Sequence, residues 1–238
     1  MSYFDSVVGQ EVIVSHLTEL VTRQKLPHSL LFYGEPGLGK LDVAIGLASL
    51  LVGRQVFSTD GGKTYLEQVK LARQEDKEST KKIEAEGLPI YIDHSDVYWL
   101  RPMKQQLSVA QWYQLLQDYL NVAADGVRVV IIEDFQTANS IMANAMLKTI
   151  EEPPAGVFFI ILTNRINTVL PTILSRCMTV AFRPVSDDDI RAALAKEGLT
   201  DIDRALAAGH GNPALVRTLA TGGNIEMLDL AVNVMAPL

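Results

Sequence analysis

Apolar residues in this chain fall into short unbroken runs, and between the runs they recur every three or four positions. Five runs predict strands: Ser29–Tyr33, Ile90–Asp93, Arg128–Ile132, Val157–Leu162 and Met178–Phe182. Several are apolar at every position, as strands covered on both faces are. The stretches between them carry helical stripes. Val12, Ile13, Leu17, Leu20 and Val21 form one, and Leu107, Ala110, Leu115 and Tyr119 form a less regular one. A third, Ile141, Met142, Ala145, Met146 and Ile150, is stopped by Pro153-Pro154, because proline cannot continue a helix. Strands alternating with helices predict an α/β domain with a parallel, doubly wound sheet.

Two stretches depart from this alternation. Residues 54–88 are rich in Lys, Glu, Gln and Arg and contain Gly61-Gly62. They predict an exposed insertion, partly helical around Tyr65–Ala72. After Arg183-Pro184 the strands cease. Ser186 is placed to cap a helix, and Asp187, Asp188 and Asp189 suit the positive end of its dipole. Short helical segments follow near Asp187–Lys196, Asp201–Ala208, Pro213–Thr221 and Ile225–Val234. The organisation expected is one α/β domain over 1–183 and a small helical domain over 184–238.

Composition narrows the function classes. The chain has 238 residues, 48% hydrophobic and 21% charged, the balance of an ordinary globular protein. No apolar run approaches the length of a membrane span, and the N-terminus lacks the basic-then-apolar order of a signal peptide, which places the protein in the cytoplasm. Cys177 is the single cysteine, so an intrachain disulfide and a cysteine-rich zinc site are excluded. The net charge of −7 argues against a chain that holds DNA unaided, since phosphate neutralisation dominates such affinity. No basic stripe marks it as a DNA-binding regulator.

The sharpest motif is Gly34-Glu35-Pro36-Gly37-Leu38-Gly39-Lys40, with the spacing of a phosphate-binding P-loop. A strand delivers it and a helix over Lys40–Leu51 leaves it. Gly34, Gly37 and Gly39 let backbone N–H groups curl round a phosphate, the helix adds its dipole, and Lys40 reaches the outer phosphates. A tight glycine turn in any α/β protein is the plainer alternative. Leu41 stands where Ser or Thr would hold a magnesium ion, and leucine has no oxygen to offer. Nucleotide binding without hydrolysis is therefore expected at most, with no metal held.

The strand Arg128–Ile132 ends in Glu133-Asp134. A Walker B element runs Asp for the metal, then Glu for the water; here the two are interchanged. Each side chain is then wrong by one methylene, about 1.5 Å, and errors of that order can cost about a hundredfold in rate. An acidic turn after a strand would read the same way.

Several longer segments carry a resemblance. Phe4 to Glu11 (FDSVVGQE), Leu26 to Gly34 (LPHSLLFYG), Asn144 to Pro154 (NAMLKTIEEPP) and Leu170 to Cys177 (LPTILSRC) resemble, in order, motifs of the clamp-loader AAA+ proteins. The likeness covers nearly the whole chain and is weakest over 54–88. It implies an AAA+ P-loop domain with a five-stranded parallel sheet, followed by a helical lid domain. It also implies an arginine-finger role for Arg176, which would act in trans on a neighbouring subunit's ATP site; the bare Ser-Arg-Cys would read as a surface arginine. Thr163 and Asn164 fall at the position resembling sensor 1, though polar residues at a strand end look alike. Gly211-Asn212-Pro213-Ala214 resembles the sensor 2 region, with Ala214 where active members carry Arg and Arg217 one turn later.

Most of the family's loader subunits carry a four-cysteine zinc module after the P-loop helix, which this chain lacks, and the family has a third, collar domain with no counterpart in these residues. With Leu41 and Glu133-Asp134, the resemblance implies a non-hydrolysing loader subunit; a weakly active ATPase of gamma/tau type is the alternative. The implied partners are gamma/tau and delta clamp-loader subunits and, through the complex, the sliding clamp and primed DNA.

Overall fold

The structure is a computed structural model, and it describes residues 2–57, 90–93, 96–102, 106–120 and 126–222. Most of the expected insertion and the helix expected over 225–234 lie outside the described residues. Six strands form one sheet in the order β2-β3-β4-β5-β1-β6: β1 (Ser29–Tyr33), β2 (Ile90–Asp93), β3 (Val97–Leu100), β4 (Arg128–Ile132), β5 (Val157–Thr163) and β6 (Met178–Ala181). Five of them, β3, β4, β5, β1 and β6, run parallel. The parallel five-strand core that the sequence predicts is present, with one exchange of membership. Ile90–Asp93 is an antiparallel edge strand on β3, and the place in the parallel core belongs to Val97-Tyr98-Trp99-Leu100. These four residues are fully covered, as a parallel interior requires.

Alternation along the strands divides the core between two faces. Leu31, Val130, Ile132, Phe159 and Ile161 point to one side, with Trp112, Met142, Met146 and Ile150. Leu30, Phe32, Val129, Ile131, Ile160 and Leu162 point to the other, with Leu17, Val43, Ala44 and Leu47. The first face is covered by α3 (Val109–Gln114), which continues as a π-helical segment over Leu115–Leu120, and by α4 (Ser140–Glu151). That π segment explains the irregular stripe over 107–119, because one extra residue per turn shifts the apolar positions. The second face is covered by α1 (Glu11–Thr22) and α2 (Lys40–Val52). Three members of the predicted stripes lie outside the core: Val12 is 84% exposed, Ile141 66%, and Ala110 is exposed as well.

A single turn of helix, α5 (Pro171–Leu174), leads into β6. Beyond β6, α6 (Asp187–Lys196), α7 (Asp203–Gly209) and α8 (Pro213–Ala220) share a separate cluster of Ile190, Leu194, Leu206, Val216 and Leu219. Ser186 caps α6, its Oγ accepting from Asp189 N at 3.2 Å. Buried Gln10 fastens the P-loop to this region: its Nε2 donates to Leu38 O (3.2 Å) and to Arg183 O (3.0 Å). No helix among the described residues is long and apolar enough to cross a membrane.

Candidate functional site

Parallel strands end on a common edge, and ligands of open α/β sheets bind outside the strands' carboxyl ends. Register brings three predicted elements together there. Tyr33 of β1 pairs with Thr163 of β5, and Ile132 of β4 with Ile161. Gly34, Glu133-Asp134 and Asn164 therefore emerge side by side. A cavity of ≈ 410 Å³ opens between them, lined among others by Gly37, Gly39, Lys40, Leu41, Glu133, Asp134, Asn164 and Ala214. A second, of ≈ 330 Å³, shares Gly37, Gly39, Asp42 and Ala214 and extends between Asp5–Val8 and the helices α6 and α8.

The P-loop has its positive-φ turns at Gly34, Gly37 and Gly39 (φ 147°, 83° and 85°). Lys40 is 8% exposed. Its Nζ donates to the loop's own Gly34 O (2.7 Å) and Glu35 O (2.6 Å). Burial pushes its pKa down to about 8, against the raising fields of Asp134, Glu35 and Glu133. The helices after β6 close onto the loop. Asn212 Nδ2 donates to Pro36 O at 2.7 Å, while its Oδ1 caps α8 through Leu215 N.

A Cβ added at Gly37 would lie 2.3 Å from Asn212 Oδ1 and 3.0 Å from the Ala214 methyl. Gly37→Ala is therefore expected to lose both this packing and its left-handed backbone at once. The expected cost is about 1–2 kcal/mol of stability, which thermal unfolding beside the native chain will read.

The acidic pair is committed to protein partners. Glu133 Oε2 accepts from Trp99 Nε1 (3.1 Å) and ion-pairs with Arg101 Nε (2.7 Å). The Arg101 guanidinium lies 5.0 Å from the centroid of the Trp99 ring. Burial raises the Glu133 pKa, Asp134 adds to the rise, and Arg101 and Trp99 oppose it. Asp134 turns the chain out of β4 in a left-handed conformation (φ 53°). Its Oδ1 accepts from Gln136 Nε2 (2.8 Å) and Asn164 Nδ2 (3.3 Å). Gln136 Oε1 in turn accepts from Thr163 Oγ1 (3.1 Å) and Asn164 N (3.0 Å).

Asp134, Thr163 and Asn164 thus form one network, knotted by a glutamine that carries no motif of its own. Leu41 lines the cavity and leans on the apolar cluster behind it. With no oxygen at Leu41, Glu133 held by Trp99 and Arg101, and Asp134 held by Gln136 and Asn164, this donor set does not fit a magnesium ion. Among the described residues no cluster of His, Cys, Asp and Glu is arranged to hold a metal.

Arg217 lines the second cavity and is engaged in a bidentate pair with Glu197 (2.8 and 2.7 Å). Ala214, at the loop, offers only a methyl. Arg176 lines neither cavity. It lies just beyond α5, exposed, where Nη2 donates to Glu151 Oε2 (3.0 Å) and Nη1 to Thr172 O (3.0 Å). The fold thus assembles Gly34, Gly37, Gly39, Lys40, Glu133, Asp134, Thr163 and Asn164 at one place and sets Arg176 apart.

Residues 9–186 match the family described as DNA polymerase III, delta subunit. The DNA polymerase III subunit delta′ of Bacillus subtilis is 27% identical over 229 residues, covering 94% of this chain and 60% of that protein. The subunit gamma of Buchnera aphidicola (subsp. Baizongia pistaciae) is 25% identical over 209 residues, covering 86% and 51%. The chain thus spans about half to three-fifths of the length of these relatives. Among solved structures, a gamma subunit-related protein of DNA polymerase III from Thermotoga maritima superposes with a TM-score of 0.56 at 18% identity, covering 94% of this chain and 63% of that one. That likeness is one of fold.

Proposed function

Because this chain belongs to the DNA polymerase III delta-subunit family of clamp-loader AAA+ proteins, we propose that it is a loader subunit that does not hydrolyse ATP and instead supplies Arg176 to a neighbouring subunit's site. Its partners would be gamma/tau- and delta-type subunits and, through the assembled loader, the sliding clamp and primed DNA. One contrast carries this reading. The chain's own hydrolytic site is altered at Leu41, at Glu133-Asp134 and at Ala214, while Arg176 stands exposed outside that site. A guanidinium is suited to such a role, since its fork matches phosphate oxygens.

The silent site has a direct test. ATP turnover by the whole chain with magnesium should not exceed that of Lys40→Ala. Leu41→Thr alone should not restore it, because Glu133 stays paired with Arg101. Turnover by the native chain that Lys40→Ala abolishes would instead make it a working ATPase of gamma/tau type.

A further inference from the structure

Missing metal ligands bear on hydrolysis, whereas access of a phosphate to the cradle depends on a different side chain. Asp42 lies in the first turn of α2, two residues past Lys40. It lines both cavities. Its Oδ2 is 3.9 Å from where a Cβ on Gly39 would sit, so the carboxylate borders the glycine whose turn opens the helix. An acid in a helix's first turn is favourable on dipole grounds alone. In a P-loop, that same positive end and its free N–H groups are what a phosphate would occupy.

We propose that Asp42 excludes phosphate from the P-loop: its carboxylate stands beside the helix end that a nucleoside di- or triphosphate would use and repels it, so the cradle disfavours nucleotide independently of the metal ligands.

The charges around the cradle agree. The first cavity sets Asp42 and Asp134 against the ammonium of Lys40, Glu133 being paired with Arg101. That ammonium already donates to Gly34 O and Glu35 O. The second sets Asp5, Asp42 and Glu197 against Lys196 and Arg217, and Arg217 is held by Glu197. A polyanion entering either would meet more carboxylate than cation. Burial raises the Asp42 pKa and the field of Arg217 lowers it.

The inference rests on the silent-site reading only in sharing its cradle. A like charge about 5 Å from a phosphate, at the effective dielectric of a partly buried site, weakens binding by about 200- to 300-fold. Calorimetric titration of the whole chain with ADP, without added magnesium, should give no saturable binding at micromolar concentrations. Asp42→Asn and Asp42→Ser should each bind about 200- to 300-fold more tightly than the native chain, and adding Lys40→Ala to either should remove the gain. Two independent replacements guard against one that misfolds, and each is checked by its melting curve.

Tight ADP binding by the native chain, or no gain in either folded Asp42 variant, overturns the exclusion. Parallel turnover assays keep the two readings apart: binding without hydrolysis defeats only the exclusion, and hydrolysis by the native chain defeats the silent site.

Discussion

Exchanging Arg176 for alanine in a reassembled loader should lower its DNA-stimulated ATP turnover by about 10³-fold, the lower end of what arginine fingers supply where measured. That factor corresponds to about 4 kcal/mol of transition-state stabilisation, far more than Arg176 contributes to its own subunit. Its partners at home are Glu151, a carboxylate 56% exposed, and the Thr172 carbonyl. An exposed ion pair of this kind is worth about 1 kcal/mol or less. The variant should therefore melt close to the native chain, and loss of turnover cannot be traced to unfolding.

Arg176→Lys separates charge from shape. Lysine keeps the cation but not the planar fork, so turnover should recover only in part. Undiminished turnover in the alanine variant would remove the trans role while leaving the silent site untouched. The location favours the expected result. The side chain lies outside both of the chain's own cavities, and a surface carboxylate would be an easily displaced partner for a guanidinium if it is to meet a neighbour's phosphoryl group.

How much of this was legible in the sequence differs from residue to residue. The P-loop could be read from spacing because its chemistry is that of the backbone: the positive φ angles at Gly37 and Gly39 favour glycine. The strands β1, β4 and β5 were legible as unbroken apolar runs. β3 is missed because only three residues separate it from Asp93, too few for the helix that strand–helix alternation leads one to expect between neighbouring strands.

That omission concealed the partner of Glu133. Leu100 pairs with Ile132 across β3 and β4, which sets the next residues, Arg101 and Glu133, beside each other although they are far apart in sequence. Gln136 has a similar history, since its role depends on how β4 and β5 align at their ends. Asp42 was overlooked for a different reason: an acid early in a helix is ordinary until the cavity beside it is seen. Val12 and Ile141 mark the limit of periodicity, which finds a stripe but not which flank of it stays in solvent.

The same pairing supports the second large effect. Arg101→Met should cost about 2–3 kcal/mol of unfolding free energy at pH 8, just below the range of about 3–5 kcal/mol for breaking a fully buried ion pair, because Arg101 and Glu133 keep 23% and 19% of their side-chain surface exposed. Methionine retains much of the stem against Trp99 but leaves Glu133 charged and without its cation.

The loss should depend on pH, with a definite sign. Burial already places the folded pKa of Glu133 above its unfolded value. The folded state therefore keeps a proton that the unfolded chain has released, and stability falls as pH rises through that interval. Removing Arg101 moves the folded value higher still and widens the interval upward. The variant's deficit should then be full at pH 8 and shrink as pH falls toward the ordinary carboxylate range, where Glu133 is neutral in both states.

Urea unfolding at pH 8 and pH 5 reads the difference. Arg101→Met with Glu133→Gln should recover much of the stability at pH 8, since no uncompensated charge remains, and the cycle isolates the pair from the packing of either side chain. An equal loss at both pH values, with no rescue by Glu133→Gln, would mean that Arg101 acts through its contact with Trp99 alone. Glu133 would then be free to serve chemistry, and the silence of the site would fall to Leu41 and Ala214.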